Sequence, residues 1–355
     1  MAWPTWPRSR SVLAPAGRRA ALQPVHRQES TIAVPELTCL EICAGAGGQS
    51  LGLEQAGFSH AAAVEIDQDA CETLRLNRQH AWKVIEADVH HFDGRPYRGI
   101  DLLAGGVPCP PFSVAGRQLG ADDERDLFPQ ALRLVRECEP MAVMLENVPG
   151  LSQARFAGYR EQVLRQLGDL GYEADWQVLN AREFGVPQLR PRFILVAMRP
   201  EVYRYFEWPR AVGAPPTVGE ALGDLMAAGG WKGAEAWARQ ANGVGPTLVG
   251  GSRKHGGPDL GPTRARAAWR KLGVDGRGLA DAPPAADAPA DYLPRLTLPM
   301  AAAIQGFSPD WRFYGRKTAA YRQIGNAFPP PVAQATGTRI RLAIQGRQAT
   351  AQFIR

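Results

Sequence analysis

The chain has no apolar run approaching the ~20 residues that span a bilayer, and no segment of it repeats another. Cysteine is scarce: Cys39, Cys43, Cys71, Cys109 and Cys138 are the five among 355 residues. An odd number in so long a chain does not describe a disulfide-stapled domain. No pair has Cys-x-x-Cys spacing, and Cys39 and Cys43 have no second Cys or His pair beside them, which argues against zinc. A reducing, intracellular setting without a metal is the expectation. Acidic residues are nearly missing from residues 1–35, where Glu29 stands against five Arg and five Pro. Arg-rich, acid-poor N-termini include organelle transit peptides. No amphipathic helix is visible here, however, so the segment reads as a disordered extension or an overlong start.

What is present describes a globular protein. Hydrophobic residues make up 45% and charged residues 21%, ordinary values for a folded domain. The net charge of +6 suits a polyanionic partner, although only its placement carries an argument. From Leu37 the chain alternates strand-like and helix-like segments. Leu37–Cys43, His60–Ile66, Lys83–Ala87, Ile100–Ala104, Ala142–Leu145 and Phe193–Met198 read as strands. Asp67 is placed to cap the helix carrying Ala70, Leu74 and Asn77, and Asp126–Cys138 has helical apolar spacing. Such alternation builds a doubly wound, mostly parallel α/β sheet with helices on both faces. The pattern breaks after Pro200. Residues 209–295 are rich in Gly, Pro, Ala and Arg, and Ala280–Ala290 is a low-complexity loop.

Three places carry chemistry. The first is the turn Gly45-Ala46-Gly47-Gly48 after the first strand, where glycine lets a ligand approach the backbone. Alone it suits NAD, FAD or a tight turn equally. Glu65, at the end of the second strand, adds a carboxylate suited to ribose hydroxyls, and Asp88 stands where an adenine amino group would lie. Asp67 and Asp88 read equally well as helix or turn caps. The second is Gly105-Gly106-Val107-Pro108-Cys109-Pro110-Pro111-Phe112-Ser113. A lone Cys is usually a small buried hydrophobe, but three prolines describe a stiff loop presenting a thiol at the sheet's carboxyl edge. The neighbouring turn Val114–Gly120 carries the glycines of a lid. The third is Glu146-Asn147-Val148-Pro149, which puts a candidate acid at the next strand end.

Together these segments resemble the DNA (cytosine-5)-methyltransferase family of the bacterial restriction-modification type. Glu41-Ile42-Cys43-Ala44-Gly45-Ala46-Gly47-Gly48 and Val64-Glu65-Ile66-Asp67 are similar to its cofactor motifs. Gly106-Val107-Pro108-Cys109 with Phe112-Ser113 is similar to its nucleophile loop, and Glu146-Asn147-Val148 to its acid motif. Gln188-Leu189-Arg190-Pro191-Arg192, Arg295-Leu296-Thr297 through Gln305-Gly306-Phe307, and Arg322-Gln323-Ile324-Gly325-Asn326-Ala327 follow in the family's order. The resemblance spans roughly residues 37–345. Cys43 departs from the family's usual Phe and would stack less well on adenine. Pro110 stands where Gln is common.

The resemblance implies a Rossmann-like S-adenosylmethionine-dependent methyltransferase domain at 36–200 and 318–345, with a smaller irregular target-recognition domain at 201–317. It implies Cys109 as nucleophile, Glu146 as acid towards cytosine N3, and Arg190 and Arg192 as the cations that lower the thiol pKa or hold the base. Cofactor contacts fall to Cys43, Gly45, Gly47, Gly48, Glu65, Ile66, Asp88, Pro108, Leu127 and Asn326. The substrate would be a cytosine flipped out of double-stranded DNA, and no metal is required. Thr247–Lys271 carries six Lys/Arg against one acidic residue, interleaved with Gly and Pro rather than spaced on one helix. In the family's recognition region it reads as base and phosphate contact, with Ser113, Gln118, Thr247, Arg253, Lys254, Arg264 and Arg266 as the DNA-binding residues. A GC-rich site is the expectation from Arg–guanine pairing. Trp231, Trp237 and Trp269 read as core. The expected protein is a monomer of the bacterial cytoplasm, paired genetically with a restriction endonuclease. A tRNA methyltransferase of the same fold and a catalytically silent DNA-binding regulator are the rival readings. Loss of Cys109, Glu146 or the Arg pair would have marked the regulator, and all are present.

Overall fold

In the computed structural model, strand β1 (Leu37–Ile42) opens the sheet. The structure describes residues 36–108, 126–251 and 257–353. Helix α1 (Gly48–Gln55), β2 (Phe58–Glu65), α2 (Gln68–Arg78), β3 (Val84–Glu86) and β4 (Leu102–Gly106) follow. After the undescribed stretch come α3 (Phe128–Cys138), β5 (Ala142–Asn147), α4 (Ala157–Asp169), β6 (Glu173–Asn180), β7 (Gln188–Leu189) and β8 (Pro191–Met198). The rest comprises α5 (Pro200–Tyr203), α6 (Val218–Ala227), α7 (Ala234–Gln240), β9 (Gly245–Pro246), α8 (Thr263–Lys271), α9 (Leu298–Gln305), α10 (Lys317–Asn326) and α11 (Pro330–Phe353). No described helix is long and apolar enough to cross a membrane.

The main sheet has the order β3-β2-β1-β4-β5-β8-β6. Strands β1 to β5 are mutually parallel, and β8 runs antiparallel to both β5 and β6. The fold is thus a doubly wound α/β sheet, mostly parallel. Sequence periodicity located β8 but neither its reversed direction nor β6, whose pattern is half exposed. Chain order runs outward in one direction from β1 to β3 and in the other from β4 to β5. Their carboxyl ends diverge between β1 and β4, and ligands bind at such a switch point.

Local chemistry explains the elements around that crevice. Strand β1 is almost wholly buried, as expected of a parallel strand covered on both faces. Asp67 caps α2 by accepting from the backbone N–H of Asp69 (3.0 Å) and Ala70 (3.4 Å). Between β1 and α1 the chain turns through Gly47 at φ 84°. A side chain at Gly48 would meet the Phe328 carbonyl at 2.2 Å, so only glycine lets α1 lie against the segment entering α11. The C-terminal helix therefore returns to the sheet layer after the irregular region.

That region forms its own cluster of buried apolar residues around α6, α7, α8 and α9. Trp231, Trp237 and Trp269 all lie in it, as the sequence reading expected. The cluster continues without a break to Ala44, Leu51 and Leu74 of the sheet layer. The described residues accordingly belong to one compact unit that begins at Glu36.

Candidate active site

A cavity of about 730 Å³ opens at the carboxyl edge of the sheet, within the ~300–1,000 Å³ usual for small-molecule sites. Each strand end contributes in spatial order. Asp88 follows β3, Glu65 ends β2, Cys43 to Ala46 and Gly48 follow β1, Gly106 ends β4, Glu146 lies on β5 and Arg192 on β8. At about 4.8 Å per strand step, the five steps from β3 to β8 span roughly 24 Å. One wall thus accommodates several chemical groups side by side.

At the β2 end, the Glu65 carboxylate accepts from the N–H groups of Gly45 (2.7 Å), Ile66 (2.9 Å) and Asp67 (2.8 Å). Those bonds orient it, while burial raises its pKa against them. Ile66 is 66% exposed, an apolar face beside the carboxylate. Asp88 accepts from the backbone N–H of His90 at 2.9 Å and is 2.8 Å from its Nδ1. These hydrogen bonds hold its carboxyl below the usual range. Cys43 takes φ 51°, a left-handed conformation uncommon for a side-chain-bearing residue and typical of strained functional positions. Burial, then the Glu65 charge, pushes its thiol far up.

At the β5 end, Glu146 pairs with Arg192 across the antiparallel β5–β8 ladder, Oε1 to Nε at 2.7 Å. Burial raises the Glu146 pKa, opposed by Arg192 and Arg190. Asn147 donates from Nδ2 to the Val107 carbonyl at 3.0 Å and accepts from Val148 N–H through Oδ1. It thereby ties the acid strand to the root of the cysteine loop. Pro108 lines the cavity. Cys109, Ser113 and Gln118 lie outside the described residues, as do Arg253 and Lys254.

Two expectations change. Arg190 does not line the cavity: it is fully buried, and its guanidinium donates to the carbonyls of Leu248 (2.8 Å), Gly325 (2.7 Å) and Ala327 (2.9 Å). With both terminal nitrogens donating to backbone carbonyls and the whole side chain buried, it is a tether rather than a group free to touch a substrate. Gly47 also stands back from the cavity, because its missing side chain makes room for Trp311 and Leu74. Gly45, Gly48, Leu127 and Asn326 do line it. Further from the cavity, the basic segment is not free of helix. Arg264 and Arg266 sit on α8, Arg264 exposed and Arg266 half-buried beside Thr263. Thr247 donates its hydroxyl to the Leu189 carbonyl.

Several contributors escaped the sequence reading. Gln188 donates to the Ile304 carbonyl and Gln305 Oε1, and accepts from Leu248 N–H. Arg322, 3.9 Å from the Asp67 carboxylate, lines the cavity, as does Gln49. For Gln188 and Asn147 the motifs holding them were the available signal. Arg322 likewise opens a motif already quoted, whereas nothing local marks Gln49.

The profile of the C-5 cytosine-specific DNA methylase family matches residues 37–249 and 259–341. The chain belongs to this family. It is 60% identical over 312 residues to the Type II methyltransferase M.NaeI of Lentzea aerocolonigenes, covering 87% of this chain and 75% of that protein. It is 51% identical over 324 residues to the Type II methyltransferase M.NgoMIV of Neisseria gonorrhoeae, covering 87% and 99%. Among solved structures, a prophage-encoded DNA modification methyltransferase of E. coli superposes with a TM-score of 0.61 at 24% identity, over 87% of this chain and 99% of that one. A variant of Spodoptera frugiperda DNMT2 gives 0.59 at 15%, with the same coverage. These two likenesses concern the fold. The protein is a DNA cytosine-5-methyltransferase, and S-adenosylmethionine is its methyl donor. The cavity suits that donor, with an oriented carboxylate, an exposed apolar residue and a glycine turn opening a helix N-terminus along one wall.

Proposed function

We propose that the protein methylates C5 of a cytosine flipped out of a short specific site in duplex DNA, through a covalent adduct with Cys109. We further propose that it serves as the protecting partner of a restriction endonuclease, in keeping with the Type II designation of its relatives. The observation that carries the mechanism is the Glu146–Arg192 pair at 2.7 Å in the wall of the cofactor cavity, with Asn147 bonded to Val107, two residues before Cys109.

Cytosine C5 is a weak nucleophile. Addition of the Cys109 thiolate at C6 turns the ring into an enamine and splits one hard step into easier ones. Glu146, with its pKa raised by burial, holds a proton at hydrogen-bonding distance of N3 and so stabilises the adduct. Arg192 fixes the carboxyl's orientation and supplies the positive charge that favours a thiolate nearby. Bound S-adenosylmethionine supplies the electrophilic methyl group. Water or another base takes the C5 proton, the C5–H electron pair re-forms the C5–C6 double bond, and the C6–S bond breaks, restoring the aromatic ring and the free thiolate. The other four cysteines are poor candidates for the attack. Burial is the leading cause that pushes each thiol up, Cys71 and Cys138 to about 12 and Cys39 and Cys43 far above the ordinary value, and such thiols are inert.

Bisulfite sequencing of plasmid DNA from cells expressing the protein or its Cys109→Ala variant tests the proposal. The expected outcome is 5-methylcytosine at one short motif with the wild type and none with the variant. Absence of methylation from both, with the protein folded and cofactor-bound, overturns the DNA assignment. Methylation that persists in the variant overturns the role of Cys109.

A further inference from the structure

Gln49 is the second residue of α1 and is 3% exposed. The residue lines the cofactor cavity, and its amide nitrogen and amide oxygen are both buried without a hydrogen-bond partner among the described residues. Buried polar groups without partners are rare in folded proteins because desolvation goes uncompensated. An unpartnered amide in the wall of a ligand cavity marks a contact completed by what fills the cavity.

The order of the strands says which part of the ligand that is. The ribose-type carboxylate, Glu65, ends β2, and the acid Glu146 lies on β5. Gly106, on β4, lies between them. A side-chain carbon built on Gly106 would be 3.4 Å from Glu146 Oε2 and 3.9 Å from Gln49 Oε1. Gln49 therefore sits on the methyl-transfer side of the nucleoside pocket. The donor group in that stretch is the methionine moiety, which carries an ammonium and a carboxylate. A carboxamide matches both, since its oxygen accepts from an ammonium and its nitrogen donates to a carboxylate. The N-cap of α1 is Gly47, which has no side chain to cap the first-turn N–H groups. That leaves the helix end favourable to the same carboxylate.

We infer that the Gln49 side-chain amide binds the methionine moiety of S-adenosylmethionine. The inference rests on the cofactor occupying this cavity. The test is calorimetric titration of the full-length protein and its Gln49→Met variant with two ligands. S-adenosylhomocysteine carries the amino-acid end, and 5′-methylthioadenosine lacks it. In Gln49→Met, affinity for S-adenosylhomocysteine should fall roughly 10- to 100-fold, the loss expected when a hydrogen bond to a charged group is removed. Affinity for 5′-methylthioadenosine should stay within about twofold, because that ligand never meets Gln49. Unchanged affinity for both, or a parallel loss for both, overturns the inference, since Gln49 would then be inert or would only shape the pocket. Wild-type protein that binds neither ligand overturns the assignment of the cavity itself. Should Gln49→Met fail to fold, Gln49→Glu carries the same test. Its carboxylate beside the ligand's own should weaken S-adenosylhomocysteine binding by about tenfold or more and spare the truncated ligand.

Discussion

Glu146 shows how two neighbours tune one carboxyl. Burial favours its neutral form, and Arg192 at 2.7 Å favours the charged one, with the net shift upward. The proposed chemistry needs the acid form. A raised pKa extends that form to higher pH, so methyl transfer should decline as pH rises through the shifted value. Single-turnover rates across pH check this. Glu146→Gln should lower the rate about 10²- to 10⁴-fold, the usual worth of a general acid, and should abolish the alkaline decline. An unaltered pH profile in the variant would assign the decline to another group. Arg192 and Arg190, two residues apart, have different surroundings. Arg192 meets the acid, while Arg190 meets three backbone carbonyls and the Gln188 side-chain oxygen.

Helix α8 gives the irregular region a regular basic element. Pro262 precedes it, and Arg264, Arg270 and Lys271 are exposed along it while Trp269 anchors it in the core. The sequence reading treated this stretch as basic loop, because Gly and Pro on either side hide a nine-residue helix. If α8 meets DNA phosphates, Arg264→Ala should weaken binding equally for all sequences and reduce the salt-dependence slope by about 0.9. Fluorescence anisotropy at several salt concentrations measures both. An unchanged slope would turn this helix away from the DNA. Elements with clean periodicity were legible beforehand: β1, α2, α3 and β5 fall within a residue or two of their expected places. Strand β6 was not, because both its faces are partly exposed and no alternation survives.

At the scale of the molecule, Arg190 gathers segments distant in sequence. From the start of β8 it reaches Leu248 in the irregular region and Gly325 and Ala327 at the end of α10. Gln188 extends the network to Ile304 and Gln305. Removing the guanidinium would leave buried carbonyls unpaired at about 1–3 kcal/mol each. Arg190→Met should therefore destabilise the protein by about 3 kcal/mol or more, measured by denaturant unfolding. Arg192→Met leaves one carboxyl without its cation, and burial already favours the neutral form of that group, so this variant should unfold closer to wild type while losing methyl transfer. Equal stability of the two variants would remove the distinction between tether and active-site cation.

The amino-acid sequence by itself determined the alternation of strands and helices, the glycine turn, the proline-flanked Cys109 and the order of the family's motifs. These depend on backbone preferences and periodicities within a few consecutive residues. Only the tertiary structure decided that Glu146 meets Arg192, that Arg190 is committed to carbonyls 58, 135 and 137 residues away, and that the unpartnered Gln49 amide lies in the cavity wall. The reason is that strand order and direction bring together groups whose sequence neighbours say nothing about one another.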